Sequence, residues 1–396
     1  MQKKYTRKLS STERIYLING EMNPPFANQF FFEGTGSFNI EKWKAAVREA
    51  SEANPGSRLI LRGFLNRCRW VDSGLTPEVV EADGSSWSGV DLNNAPFLQK
   101  QLSTTDGRSS EVLLLHGETL RVFFRTHHAI MDGRGTFTWI EDIFRVLNDK
   151  KPRGSSSAIT EQELARSYQK QGRTPPSHQF ISPTGKAAQG VTGICWRRYK
   201  TKGPIKNLLP KVAVLLAREA WRHSPGPVRF AIPVDLRFRQ EKLRSTGNLT
   251  NLIYFDVTEN TTYEDLVKNM EEQIANKNDG MLYWADEVVR FIPLAMVRRS
   301  LRNEVQIKHD MGLYRNTAIL SNMGLIDLRY FSGGGFNATA FCGIPPAVEY
   351  LPFFMGLAGY NDTVELVVSM PRALATDGRL EKAMEGIIGG LDSFTG

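Results

Sequence analysis

The sequence predicts a mixed α/β protein of two lobes, on three observations. Its 396 residues exceed the length of one ordinary domain. Strand-like and helix-like stretches are interspersed in both halves. Between Lys150 and Gly193 that patterning gives way to Ser, Pro, Gln, Gly and Lys. The chain therefore divides into a first lobe at 1–150, a linker at 151–195 and a second lobe at 196–396.

In the first lobe, NQFFFEG reads as a strand, and a turn leads from it into a helix with the apolar stripe Ile40, Trp43, Ala46, Val47 and Ala50. Asn39 is placed to cap this helix and Asn54-Pro55-Gly56 to stop it before a second strand. EVLLLHGETLRVFFRTHH reads as two strands around Gly117, the second being Leu120 to Thr126. TFTWIEDIFRVLNDK then puts Phe137, Ile140, Phe144 and Leu147 on one helical face. The linker is most loop-like in KKPRGSSS and GRTPPSH and holds a short helix. In the second lobe a helix runs through IKNLLPKVAVLLAREAWRH, with Pro210 near its first turn, and VRFAIPVDLR follows as a strand. Thr262 and Asp265 have the spacing of a capping box. Strands are expected in NTAILSNMG, FNATAFCG, LPFFMGLAG and TVELVVSM, and a last helix carries Leu380, Met384, Ile387, Ile388 and Leu391. No internal repeat is visible.

A hydrophobic share of 41% and a charged share of 23% exclude a disordered chain. The net charge of +8 favours an acidic partner, for which phosphate-bearing cofactors, acidic proteins and nucleic acid all qualify. Nucleic acid is disfavoured because the basic residues are dispersed and no reading motif is present. Cys68, Cys195 and Cys342 lie far apart without CxxC spacing, which suggests neither a disulfide framework nor a zinc site. The start has no signal-peptide core, and no window reaches the roughly 18 apolar residues of a membrane span. A soluble, cytoplasmic monomer is expected.

The chemistry concentrates in RTHHAIMDGRG, residues 125 to 135: a strand end, a tight glycine turn and a helix start. Adjacent strand residues point to opposite faces, so His127 and His128 do not easily share a metal ion. Asp132 with one histidine is a poor ligand set, and no HExxH or cysteine cluster completes it, so no metal is expected. The same alternation sends one imidazole into the lobe and the other toward a cleft, while Asp132 turns back to brace the loop. An imidazole with an ordinary pKa near 6.5 suits a general base that takes a proton from a hydroxyl or amine, worth roughly 10² to 10⁴ in rate. Gly133 then permits close backbone approach, and the helix N-terminus places positive potential where an oxyanion would develop.

HHAIMDG resembles the HHxxxDG signature of the chloramphenicol-acetyltransferase-like superfamily, which includes condensation domains, polyketide-associated acyltransferases, wax ester synthases and plant alcohol acyltransferases. LSSTERIYL, ANPGSR, IPVDLR at 232–237, TGNLTN at 246–251 and LSNMG at 320–324 resemble further family segments. The plant branch's DFGWG is missing. SGGGFNATAFCG lies in that region, and its glycines suggest a crossing loop between lobes. The resemblance implies two acetyltransferase-like lobes forming a V-shaped pseudo-dimer, with the active site in a tunnel between them.

It also implies that His128 is catalytic and His127 structural. Asp132 would hold the loop by pairing with an arginine, Arg58 first and Arg62 second. Ser321 and Asn322 would reach the tunnel from the second lobe to bind substrate. The family's chemistry moves an acyl group from a phosphopantetheine thioester, acyl-coenzyme A or an acyl carrier protein, to an amine or alcohol without a covalent acyl-enzyme. The lack of a GxSxG elbow agrees with direct attack. No permanently bound cofactor is implied. Arg237, Arg239, Lys242 and Arg244, or Arg298 and Arg299, are candidates to meet phosphate or an acidic carrier surface. The expected protein is a free-standing, amide- or ester-forming acyltransferase of specialised-metabolite biosynthesis. The alternative is a non-catalytic condensation-like protein that docks carrier proteins.

Overall fold

The computed structural model describes residues 4–174, 177 and 179–394. Two sheets carry the fold. The first is begun by β1 (Ala27–Gly36), β2 (Glu78–Asp83), β3 (Ser110–His116) and β4 (Leu120–His127). The second is begun by β5 (Ile194–Lys202), β6 (Val228–Asp235), β7 (Thr250–Val257) and β8 (Ala318–Leu325). The chain then returns to the first sheet as β9 (Phe336–Ile344) before finishing the second with β10 (Phe354–Tyr360) and β11 (Thr363–Pro371). The strand orders are β9-β1-β4-β3-β2 and β5-β11-β10-β8-β6-β7.

The glycines of the expected crossing form a turn before the strand that was expected in FNATAFCG. β9 runs antiparallel to β1, from Phe336 opposite Gly36 to Ile344 opposite Gln29. Residues 336–344 lie in the first sheet even though the division by sequence gave them to the second lobe.

Helices cover the sheets. α1 (Ser11–Met22), α2 (Ile40–Ala53), α3 (Gly133–Leu147) and α4 (Glu161–Tyr168) belong to the first half, and α5 (Leu208–His223), α6 (Tyr263–Ala275), α7 (Leu294–Met311) and α8 (Arg379–Asp392) to the second. The expected caps form: Asn39 accepts from the Lys42 N–H, and Thr262 with Asp265 closes a reciprocal box. α1 is a helix the sequence reading did not resolve. Ser10 and Glu13 cap its start reciprocally, yet it buries Glu13 and Arg14 along with Leu17 and Ile18, which blurs its apolar stripe.

Strand alternation sorts the first core into two layers. Phe30 and Phe32 of β1 face Trp43 of α2 and Phe137 and Phe144 of α3. Phe31, one residue out of phase, stacks on Phe123 at 4.5 Å and shares the opposite face with Trp87 and with Trp196 and Val367 of the second lobe. In the second lobe α5 and α8 cover one face of the sheet, with Leu216 and Ile387 among Phe230, Met355 and Val368. Charge also crosses between lobes. Arg198 of β5 donates to both Glu365 oxygens, at 2.9 and 2.7 Å, and sits 3.0 Å from Glu33 of β1.

A second buried charge group underlies the histidine turn. Arg7 pairs with Glu13 and donates to the Ile130 carbonyl at 2.9 Å, while Glu13 accepts from Trp70 Nε1 and Asn248 Nδ2. Glu161, at the start of α4, is buried beside this group, near the hydroxyls of Ser10 and Thr12. Burial and the negative charge of Glu13 push its carboxyl up to about 7. The folded state thus keeps a proton that the unfolded chain releases, so stability falls as pH rises from the ordinary glutamate range through 7. Relative to wild type, Glu161→Gln gains about 2 kcal/mol between pH 5 and pH 8, measured by denaturant unfolding at each pH.

Candidate active site

The histidine turn is anchored before it begins. Arg125 of β4 is fully buried, and its guanidinium donates to Gln29 at 2.9 Å, to Glu111 and to the carbonyls of Leu98 and Lys100. β4 ends at His127, the Ile130 N–H closes a turn onto the His127 carbonyl at 2.9 Å, and α3 starts at Gly133 with Asp132 as its N-cap. The elements expected from RTHHAIMDGRG are all present.

The two imidazoles hold opposite hydrogen-bond roles. His127 is buried, and its Nδ1 accepts from the Ala129 N–H at 3.2 Å. Its other nitrogen presses on α1, where a Cβ at Gly20 would come within 2.7 Å of Nε2. Burial, then the neighbouring His128, pushes its pKa down to about 4, so it is neutral at ordinary pH. His128 is partly exposed. Its Nδ1 lies 3.0 Å from the Met131 carbonyl, which can only accept, so Nδ1 carries the hydrogen and Nε2 keeps its lone pair. The ring stacks on Tyr16 at 4.4 Å and leans on Phe26 at 5.3 Å. Phe26 is held there at φ 29, a backbone region that favours glycine. Desolvation by this aromatic sleeve lowers the His128 pKa, against the Met131 carbonyl and the Asp132 charge, which raise it.

Asp132 faces the second lobe, not Arg58. Its Oδ1 accepts from the Gly135 N–H at 2.6 Å and Arg237 at 3.0 Å, and its Oδ2 accepts from Arg237 at 3.1 Å, the Leu249 N–H at 2.7 Å and the Thr250 hydroxyl at 2.9 Å. Burial would raise this carboxyl, but Arg237 and the two backbone donors outweigh it and hold it below the ordinary aspartate value. Arg237 is equally satisfied, donating also to Asp235 and to the carbonyls of Ser245 and Gly247. Arg58 instead pairs with Asp72 at 2.8 Å, and Arg62 is exposed and donates to the Leu61 and Thr105 carbonyls. Both expected partners of Asp132 are thus corrected: the loop's arginine comes from IPVDLR, and its other donors are the Gly135 N–H of its own helix and two groups of TGNLTN.

Gly133 does not supply the close backbone contact. A Cβ there would meet only Phe30 at 3.5 Å and the Met323 sulfur at 3.9 Å. Gly135 does supply it, since a Cβ would fall 2.3 Å from the Thr246 carbonyl of the second lobe.

Ser321 and Asn322, successive on β8, face opposite ways. Ser321 pairs in register with Gly356, whose Cβ position lies 3.2 Å from Pro345, on the side of the first lobe. Asn322 shares its side with Leu320 and Leu357 of the second-lobe core, and its Oδ1 accepts from the Gly324 N–H. The first basic cluster is largely spoken for. Arg237 holds Asp132, Arg239 grips Asp279 with two nitrogens, and Arg244 reaches the Gly154 carbonyl and Asp142, which leaves Lys242 exposed. Arg298 pairs with Glu21, and Arg299 is exposed.

Because Asp132 and Arg237 are buried against each other, removing one strands the other. Arg237→Ala is expected to cost about 3–5 kcal/mol in denaturant unfolding, whereas Arg58→Ala leaves the Asp132–Arg237 pair intact.

No helix among the described residues is long and apolar enough to cross a membrane. No protein-family model matches the sequence, and no curated protein sequence does. Solved structures match over nearly its whole length. The condensation domain of the Monacolin K polyketide synthase MokA is 13% identical, over 98% of this chain and 97% of that one, with a TM-score of 0.64. The starter condensation domain of the rhizomide synthetase RzmA, in a variant bound to C8-CoA, is 14% identical over 99% and 95%, with a TM-score of 0.69. A second variant of it, bound to C8-CoA and Leu-SNAC, is 14% identical over 99% and 95%, with a TM-score of 0.66. With its two lobes and its crossing strand, the chain has the fold of a condensation domain.

Proposed function

We propose that the protein is an acyltransferase that moves an acyl group from a phosphopantetheine thioester to an amine or alcohol, with His128 as general base. The observation that carries this reading is the fixed tautomer of His128. The Met131 carbonyl holds the Nδ1 hydrogen, so the lone pair on Nε2 is free to take a proton. The acceptor's nitrogen or oxygen bonds to the thioester carbonyl carbon as its proton passes to Nε2. The C–S bond then breaks, and the same proton goes to the departing thiolate. Asp132, saturated by its five donors, positions the loop and takes no proton. Ser321, on the side of the first lobe, is assigned to the substrate tunnel.

The C8-CoA and Leu-SNAC complexes of the RzmA domain support a thioester donor and an amine acceptor for this chain as well. Coenzyme A or a carrier protein would present the donor, in the assembly of a specialised metabolite.

Intact-mass detection of product from acyl thioesters and pooled amines and alcohols tests the reading. His128→Ala is expected to lower transfer at least about 10²-fold with an unchanged melting temperature, and normal turnover by the folded variant would overturn the assignment. Because the neutral imidazole is the active form and its pKa is lowered, the fall of the rate with acid should have its midpoint below that of a free imidazole. Tyr16→Ala lets water reach the ring and should move the fall upward toward 6.5, while Tyr16→Phe keeps the stack and the wild-type profile.

A further inference from the structure

An apolar cavity lies away from His128, in the second lobe, with a volume of about 920 Å³. Its walls are hydrocarbon: Leu208 of α5, Ile232 and Val234 of β6, Ile253 of β7, and Met270 and Ile274 of α6. The polar side chains on it are Asn207, Asp235, Glu271 and Asn322, and among the described residues no lysine, arginine or histidine lines it. Two large apolar side chains at its border, Phe238 and Leu325, are 56% and 74% exposed. An apolar space of this size is built for an apolar ligand. Asp235 is already paired with Arg237 and Glu271 is exposed, and no cation among the described residues lines the walls to hold a free carboxylate, so the chain that suits the cavity has its carboxyl group masked.

The sheet has a break beside this cavity. β8 and β10 lose register between Asn322 and Leu325. Gly324 sits there at φ +73, with nothing within 4 Å of the position a Cβ would occupy. Gly359, opposite Leu325, adds a second missing side chain. Asn322 and Gly324 line the cavity, whereas Met323 between them points to the other side, with its sulfur 3.9 Å from the Cβ position of Gly133 in the histidine loop.

We propose that the cavity holds the unbranched aliphatic chain of the acyl donor, threaded from the His128 side through the Gly324 and Gly359 break. The identity of the chain as a donor's rests on the acyltransferase reading; its binding in the cavity does not.

Binding is therefore read apart from turnover, by titration calorimetry with S-butanoyl, S-hexanoyl and S-octanoyl N-acetylcysteamine. These carry the masked carboxyl but no phosphate. The Kd should tighten about fourfold for each added methylene. Two variants block the path in different places. Gly359→Val narrows the break at a position where a Cβ meets only ordinary contacts, Leu325 at 3.6 Å and the Thr363 carbonyl at 3.9 Å. Met270→Trp fills the cavity from a half-buried helix position. Both should erase the gain with chain length while leaving His128-dependent acetyl transfer from acetyl-coenzyme A in place. Affinity independent of chain length, or a gain that survives in both folded variants, overturns the proposal even where acetyl transfer is seen. A gain that the variants erase upholds the cavity as a chain site even if no acceptor is ever acylated, an outcome that removes only the acyltransferase reading.

Discussion

The histidine turn depends on a carboxylate of one lobe whose charge is balanced by the other. Asp132 begins α3 in the first lobe, yet apart from the Gly135 N–H every donor to its two oxygens belongs to the 237–250 stretch of the second. A buried pair of this kind is a weak source of net stability, because desolvating both charges costs about as much as their attraction returns. Its strength lies in the penalty for any other arrangement. If the lobes slide by a few ångströms, an aspartate and an arginine are both left charged and dry. The lobe interface is thus a condition for a correctly shaped histidine loop.

That condition reaches the imidazole through short, stiff links. Met131 lies between Asp132 and the turn, and its carbonyl accepts from Asn28 Nδ2 at 2.7 Å as well as from His128. From beneath, Arg7 holds the Ile130 carbonyl, and its partner Glu13 accepts from Asn248 of the second lobe. Three successive residues of the turn are therefore fixed by three different parts of the chain. The tautomer of His128 follows from this scaffold, and the aromatic walls of Tyr16 and Phe26 add a low-dielectric setting that keeps the ring uncharged.

Much of this was legible in the sequence, and the gaps have physical causes. The histidine motif, its strand and its helix could be read because periodicity and glycine punctuation are local signals. IPVDLR and TGNLTN also stood out, but no local signal tells which arginine, here 105 residues from Asp132, closes the ion pair. Gly135 could have been suspected, since a glycine in the first turn of a helix lowers helix propensity by roughly 1 kcal/mol and so asks for a steric reason. Strand alternation could likewise have separated Ser321 from Asn322, which period two sends to opposite faces. α1 escaped because its buried side includes charged residues, and α7 because Lys308 is its one buried position among the described residues.

The crossing strand has a consequence for how the protein is made. β9 is an edge of the first sheet and covers β1, yet Thr339 and Glu33, which touch there, are 306 residues apart in the chain. During synthesis β1 therefore emerges early and waits with one row of backbone N–H and C=O groups unpaired until most of the second half has followed. An open strand rich in phenylalanine, FFFEG, is the kind of edge that recruits wrong partners. Closing it so late makes the order of events on the ribosome part of the fold's design. It also commits the first lobe to finish folding only in the company of the second.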